Sequence, residues 1–196
     1  MKLSNQEQKS ILRKEILHRR NSLNQSEIST KSKLIQKNVI RRPEFIQSNS
    51  IGLYLPIGSE VETMDIINHA LNSGRTLLLP RIVTNHIQYY IVEQKDFNQD
   101  SFDRNRFGIK EPKITNGNVD FIDLLIIPGI AFDLCGYRIG YGYGYYDKYL
   151  TNKKFSKCIG LAYDFQFVKS RIPIFEYDKK IDILITESGT NIFNTL

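Results

Sequence analysis

A chain of 196 residues, 41% hydrophobic and 24% charged, carries one sizeable core and is too short for two full domains. This composition excludes disordered, collagen-like and disulfide-stapled proteins, and no apolar run is long enough to span a bilayer, so no membrane partner is expected. The formal charge of +6 is concentrated at the start, where Lys2, Lys9, Arg13, Lys14, Arg19, Arg20, Lys31, Lys33, Lys37, Arg41 and Arg42 are opposed only by Glu7, Glu15, Glu27 and Glu44; such a field attracts phosphates, polyanionic cofactors or nucleic acid.

Residues 1–20 have no apolar stretch of the secretory kind and read as a helix of the fold. With Cys135 and Cys158 in no paired motif, a cytoplasmic protein with two reduced thiols is expected. Helical periodicity places Ile11, Leu12, Ile16 and Leu17 on one face of residues 6–21. It places Ile28, Leu34, Ile35 and Val39 on one face of residues 26–41, with Ser26 as N-cap and Pro43 as terminator. Residues 50–55 read as a strand closed by Pro56 and Gly58, and residues 63–72 as a helix with Thr63 as N-cap and Gly74 just past its end. A buried strand over 76–79 is stopped by Pro80, and another runs over 87–92. Residues 95–118 are polar and irregular, a surface loop. The most apolar strand, 123–127, is bounded by Pro128 and Gly129; a helix runs from Tyr145 to Leu150, and the last strands cover 157–162 and 181–186.

Continuous apolar strands alternating with helices predict an α/β fold. It consists of a mostly parallel central sheet flanked by helices on both faces, in Rossmann-like layers, with two N-terminal amphipathic helices, all in one domain over residues 1–196. Ligands of such sheets bind beyond the carboxyl ends of the strands, which makes 56–63, 80–84, 128–147 and 162–166 the candidate segments.

The segment after the most apolar strand is the richest in chemistry. Gly136, Gly140, Gly142 and Gly144 allow positive φ and close approach of a ligand, and successive exposed N–H groups make an anion nest at the start of the helix near Tyr145. Arg138 adds a forked cation suited to phosphate, and Asp147 a hard oxygen ligand for Mg²⁺. A tyrosine-glycine surface loop without a ligand is the alternative. Lys9 and Arg13 share a helix face and suit a polyphosphate, or form a solvated basic face. Glu60, Glu62 and Thr63 stand where a carboxylate can accept hydrogen bonds from a heterocycle, or where acids and a cap begin a helix. Asp178 is a candidate second metal-proximal carboxylate, or a solvated loop acid. There is no G-x-x-x-x-G-K-[ST], and the glycines at 140, 142 and 144 neither match G-x-G-x-x-G nor sit in a tight strand-to-helix turn, which disfavours a P-loop protein and a Rossmann dehydrogenase. His18, His69 and His86 form no ligand pattern and no G-x-S-x-G occurs, so zinc and serine-hydrolase chemistry have little support.

Taken together, these segments resemble the 5-formyltetrahydrofolate cyclo-ligase (5,10-methenyltetrahydrofolate synthetase) family nearly end to end. KSILR, residues 9–13, is similar to the family's ATP-contacting helix and implies Lys9, Ser10, Ile11, Leu12 and Arg13 as ATP contacts. YLPIGSEVET, residues 54–63, resembles the substrate segment, with Ile57 and Glu62 at folate-contacting positions. FGIKEP, residues 107–112, and GLAYDFQ, residues 160–166, are further family-like stretches. RIGYGYGYYD, residues 138–147, resembles the ATP loop, implying Arg138, Ile139, Gly140, Tyr141, Gly142, Tyr143, Gly144, Tyr145 and Tyr146 at ATP and Tyr141 to Tyr145 also at the folate. Asp147 and Asp178 fall where the family's Mg²⁺-associated acids lie. The chain departs at Tyr143, where such loops often carry Gly or Lys; a tyrosine supplies no positive charge there and narrows the loop.

The resemblance implies an ATP- and Mg²⁺-dependent conversion of 5-formyltetrahydrofolate, with or without a polyglutamate tail, to 5,10-methenyltetrahydrofolate with release of ADP and phosphate. It implies Arg138 and Glu62 as catalytic residues, and a monomer with no nucleic-acid partner is expected. A nucleic-acid-binding module using the basic first helices and the tyrosines, and another ATP- or sugar-phosphate-using enzyme on a similar scaffold, are the competing classes.

Overall fold

A computed structural model of the protein describes residues 3–105, 108–114, 117–152 and 154–193. Of the family-like FGIKEP stretch, Phe107 lies outside the described residues, as does Lys2 of the basic cluster.

The chain opens with helices α1 (Asn5–Asn21) and α2 (Gln25–Ile40). Each begins on a reciprocal capping box, Ser4 with Glu7 and Asn24 with Glu27, which satisfies otherwise orphaned N–H groups. Asn24, not Ser26, is therefore the N-cap of α2. Pro43 does not merely end α2: it occupies the first position of a one-turn helix α3 (Pro43–Ile46), where its missing N–H is harmless. Ile11 and Leu34, placed by periodicity on the apolar faces, are exposed.

Strand β1 (Ser50–Gly52) is shorter than expected, and helix α4 (Met64–Asn72) follows. The Thr63 hydroxyl does not cap α4; it donates to the carbonyl of Tyr54. Strand β2 (Thr76–Val83) runs straight through Pro80 and forms an antiparallel hairpin with β3 (His86–Val92). The neighbouring β1 ends opposite Leu78, so β2 is an edge at Pro80 and the absent N–H breaks no ladder. Thr84 and Asn85 turn the hairpin with both φ values positive. Residues 95–118 are not one loop: they hold helix α5 (Gln94–Asn98) and the small hairpin β4 (Asp103–Arg104) and β5 (Lys110–Glu111).

Strand β6 (Ile122–Pro128) leads to β7 (Ala131–Asp133), β8 (Arg138–Ile139) and helix α6 (Tyr145–Thr151). Strands β9 (Phe155–Leu161), β10 (Phe167–Val168), β11 (Ile183–Ile185) and β12 (Thr190–Ile192) complete the chain. The main sheet has the order β12-β11-β9-β6-β1-β2-β3, parallel from β11 to β2 with an antiparallel strand at each edge. Its central strands are buried on both faces. Leu77, Leu79, Leu124 and Ile126 pack toward α2 and α4, while Leu78, Leu125 and Ile127 pack with Tyr149 and Leu150 of α6. A second sheet, β10-β7-β8, carries α1, whose Leu12, Ile16 and Leu17 pack on Ile130, Ala131 and Ile139.

The order of the main sheet reverses between β1 and β6: from β1 the chain steps to β2 and β3 on one side and resumes at β6 on the other. A crevice is expected beyond the carboxyl ends of these two strands.

Candidate active site

The crevice is a cavity of about 880 Å³. Tyr54 and Leu55 beyond β1, Leu79, Pro80 and Ile82 of β2, and Pro128 and Gly129 at the end of β6 form its floor. One wall is the buried side of α1, and the other is the loop from Arg138 to Asp147.

From α1, Lys9, Ser10 and Arg13 line the cavity. Ile11 and Leu12 do not: the helical turn points Ile11 to solvent and packs Leu12 onto the second sheet. Lys9, nearly buried, forms an ion pair with Asp178 and lies 4.8 Å from the centre of the Phe175 ring. Arg13 donates Nε–H to the Gly140 carbonyl at 2.8 Å, and its guanidinium faces Gly142.

The residues from Arg138 to Asp147 all border the cavity. Contrary to the sequence expectation, this glycine segment does join a strand to a helix, β8 to α6, but β8 belongs to the small second sheet. Gly142 (φ 105°) and Gly144 (φ 69°, the N-cap of α6) need the freedom of glycine, whereas Gly140 has no positive φ. Gly136 lies away from the cavity in the β7–β8 turn, packed against the Ile181 carbonyl and Phe193. Tyr143 stacks on Tyr145, ring centres 5.6 Å apart. Arg138, 5% exposed, donates to Asp147 Oδ1 at 3.1 Å and to the Lys179 carbonyl at 3.3 Å.

In the segment after β1 the two acids part company. Glu62 does not line the cavity: its N–H donates to Ser32 Oγ of α2 and its carboxylate accepts from Gln25 Nε2, both on the α2 side. Glu60 lines it instead, 3% exposed, with Ile57 on the same rim. Glu60 and Ile57 close a tight turn, the Ile57 N–H donating to the Glu60 carboxylate at 2.9 Å and the Glu60 N–H to the Ile57 carbonyl at 3.2 Å. Burial pushes the Glu60 carboxyl up from the usual range, while Arg20, the Ile57 N–H and the Tyr141 hydroxyl pull it down. Tyr141 is raised by burial and by Glu60.

Asp147 and Asp178 both border the cavity, but each is already engaged. Asp147 Oδ1 accepts from Arg138 and from the Lys179 N–H; Asp178 Oδ2 accepts from Lys9 and from the Phe175 N–H. Among the described residues no group of three or more His, Cys, Asp or Glu side chains is placed to hold a metal ion. The second oxygens, Asp147 Oδ2 and Asp178 Oδ1, bond to no described residue. Two such oxygens beside a polyphosphate suit Mg²⁺, which takes few protein ligands and draws the rest from phosphate and water. No described helix is long and apolar enough to cross a membrane.

The family model described as the 5-formyltetrahydrofolate cyclo-ligase family matches residues 5–187. The 5-formyltetrahydrofolate cyclo-ligase of Mycoplasma genitalium is 34% identical, over 90% of this chain and 96% of the relative. The NMR structure of 5,10-methenyltetrahydrofolate synthetase from Aquifex aeolicus superposes with a TM-score of 0.83 at 34% identity, covering 96% of this chain and 94% of that one. The synthetase structure from Mycoplasma pneumoniae gives 0.69 at 26% identity, covering 91% and 98%.

Proposed function

The chain belongs to the 5-formyltetrahydrofolate cyclo-ligase family, and from that premise we propose that its cavity holds ATP and 5-formyltetrahydrofolate side by side and closes the folate's five-membered ring. The observation that carries this reading is that one enclosure joins a cationic wall, Lys9, Arg13 and Arg138, to a buried carboxyl, Glu60. The first suits a polyphosphate and the second the N–H groups of a pterin.

The N5-formyl oxygen is an amide oxygen and leaves poorly. Transfer of the γ-phosphoryl group to it breaks the bond from phosphorus to the bridging oxygen and releases ADP. N10 then attacks the activated carbon and loses its proton, and the carbon–oxygen bond breaks as inorganic phosphate departs. The substrate supplies its own nucleophile, so the protein has to position and neutralise. Lys9 and Arg13 face the phosphates from α1. The backbone from Gly140 to Tyr145 cradles them, its carbonyl at Gly140 fixed by Arg13. Arg138 holds Asp147 and adds positive charge behind the loop. Glu60, which lines the cavity, takes the folate-orienting role, and Ile57 and Tyr145 pack on the rings. Asp147 and Asp178 would hold Mg²⁺, which supplies charge neutralisation at the phosphates when bound. The basic cavity also suits the anionic glutamate tail. A cytoplasmic monomer is part of the same proposal. So is the absence of a nucleic-acid partner, which rests on the four tyrosines of the loop all bordering this cavity.

The test is the near-ultraviolet absorbance of the methenyl product when purified protein meets 5-formyltetrahydrofolate, with ATP and Mg²⁺ omitted in turn. A rise that needs both is expected. Folded protein that binds ATP but gives no rise would overturn the substrate; steeply salt-dependent oligonucleotide binding without ATP binding would favour a nucleic-acid module.

A further inference from the structure

Arg20, one residue before the end of α1, is 2% exposed. Its Nε donates to Ser59 Oγ at 3.2 Å, and Nη2 donates to the Tyr141 hydroxyl at 2.6 Å with the guanidinium 5.8 Å from the Tyr141 ring centre. Ser59 in turn donates to Asn21 Oδ1 at 2.6 Å. A guanidinium this buried is costly, and an apolar side chain of similar size would fill the space at less expense. Its three contacts join α1, the Ser59–Glu60 turn and the glycine loop, the three parts that carry the phosphate and folate ends of the cavity.

We propose that Arg20 is a positioning residue of the reaction: it locks the Tyr141 hydroxyl and the Ser59–Glu60 turn in one register, so that the glycine loop and the folate-facing acid are set together. This rests on the assignment of Glu60 to the folate. The groups that act on Glu60 are Arg20 of α1, Tyr54 ahead of the turn, Tyr141 of the glycine loop and Tyr146 of α6. Arg20 is the one permanent charge among them, and it favours the ionised form of Glu60 against the effect of burial.

The test compares Arg20→Met, Arg20→Lys and Tyr141→Phe in the pH dependence of kcat/KM for 5-formyltetrahydrofolate. Arg20→Met is expected to lose about 10²-fold at neutral pH and to move the acid limb up by about one pH unit. Arg20→Lys is expected to restore the limb but not the rate, because one ammonium cannot reproduce the fork to Ser59 and Tyr141. Tyr141→Phe should cost about tenfold alone and little once Arg20 is Met. An unmoved acid limb in Arg20→Met, or losses that simply multiply, would overturn the proposal. If Arg20→Met does not fold, Arg20→Lys combined with Tyr141→Phe decides by the same non-additivity. Wild-type protein that fails to convert the folate would sink the cyclo-ligase reading itself, an outcome separate from any of these.

Discussion

Arg13 donates its Nε–H to the carbonyl of Gly140 at 2.8 Å, tying the opening helix to the glycine loop across 127 positions of sequence. One guanidinium thus fixes the loop and faces Gly142, on the side proposed to hold the phosphates. Arg13→Ala should raise KM for ATP about 10- to 100-fold, the size of one charge-assisted hydrogen bond. Arg13→Lys should recover little of this, because a single ammonium cannot hold the Gly140 carbonyl and a phosphate together. Steady-state kinetics in ATP check it; a lysine variant equal to wild type would contradict it.

Lys9 and Asp178 form an ion pair with side chains only 10% and 8% exposed. Asp178→Ala leaves a buried cation without its partner and should destabilise the apo protein by about 3–5 kcal/mol. Without Mg²⁺, which Asp178 would help to hold, ATP should stabilise this variant more than it stabilises wild type, since a phosphate can replace the lost carboxylate. Urea denaturation with and without ATP measures both.

Tyr143 is half-exposed at the cavity mouth and stacked on Tyr145. Tyr143→Lys puts a cation in the phosphate loop and should lower KM for ATP about threefold or more, an effect that fades as salt is raised. An unchanged KM at low ionic strength would show that position 143 does not face phosphate.

Glu60 ties stability to pH. Its folded pKa is raised above the ordinary 4.5, so between 4.5 and that raised value the folded state binds more protons than the unfolded one. The Glu60 contribution is fully present below 4.5 and is lost as pH rises through the folded pKa. Stability of wild type relative to Glu60→Gln should therefore fall as pH rises from 4.5 through the raised folded pKa. Denaturation midpoints of the pair across that range check the slope, and a rising difference would contradict it.

The sequence carried the central sheet because β2 and β6 hold the apolar runs Leu77 to Leu79 and Leu124 to Ile127, and because α1 and α2 have clear periodicity. It did not carry what depends on neighbours. Pro80 looked like a stop because nothing local shows that β1 ends opposite Leu78. The second sheet was invisible because β8 and β10 are two residues each, too short for a period. The glycine segment, Lys9 and Arg13, singled out in the sequence, all line the cavity. Glu60 and Glu62 were separable only in three dimensions: the turn closed with Ile57 holds the Glu60 carboxylate at the cavity, and the Glu62 carboxylate accepts from Gln25 of α2. Helix rotation likewise puts Lys9, Ser10 and Arg13 of the KSILR segment at the cavity and turns Ile11 and Leu12 elsewhere.

The most direct measurement is kcat/KM for 5-formyltetrahydrofolate in Glu60→Gln and Glu62→Gln, assayed side by side at saturating ATP. Glu60 lines the cavity proposed to hold the folate, so Glu60→Gln should lose about 10²-fold or more while Glu62→Gln stays within about threefold of wild type. The reverse order, or equal losses, would mean that the reaction does not take place in this cavity as described.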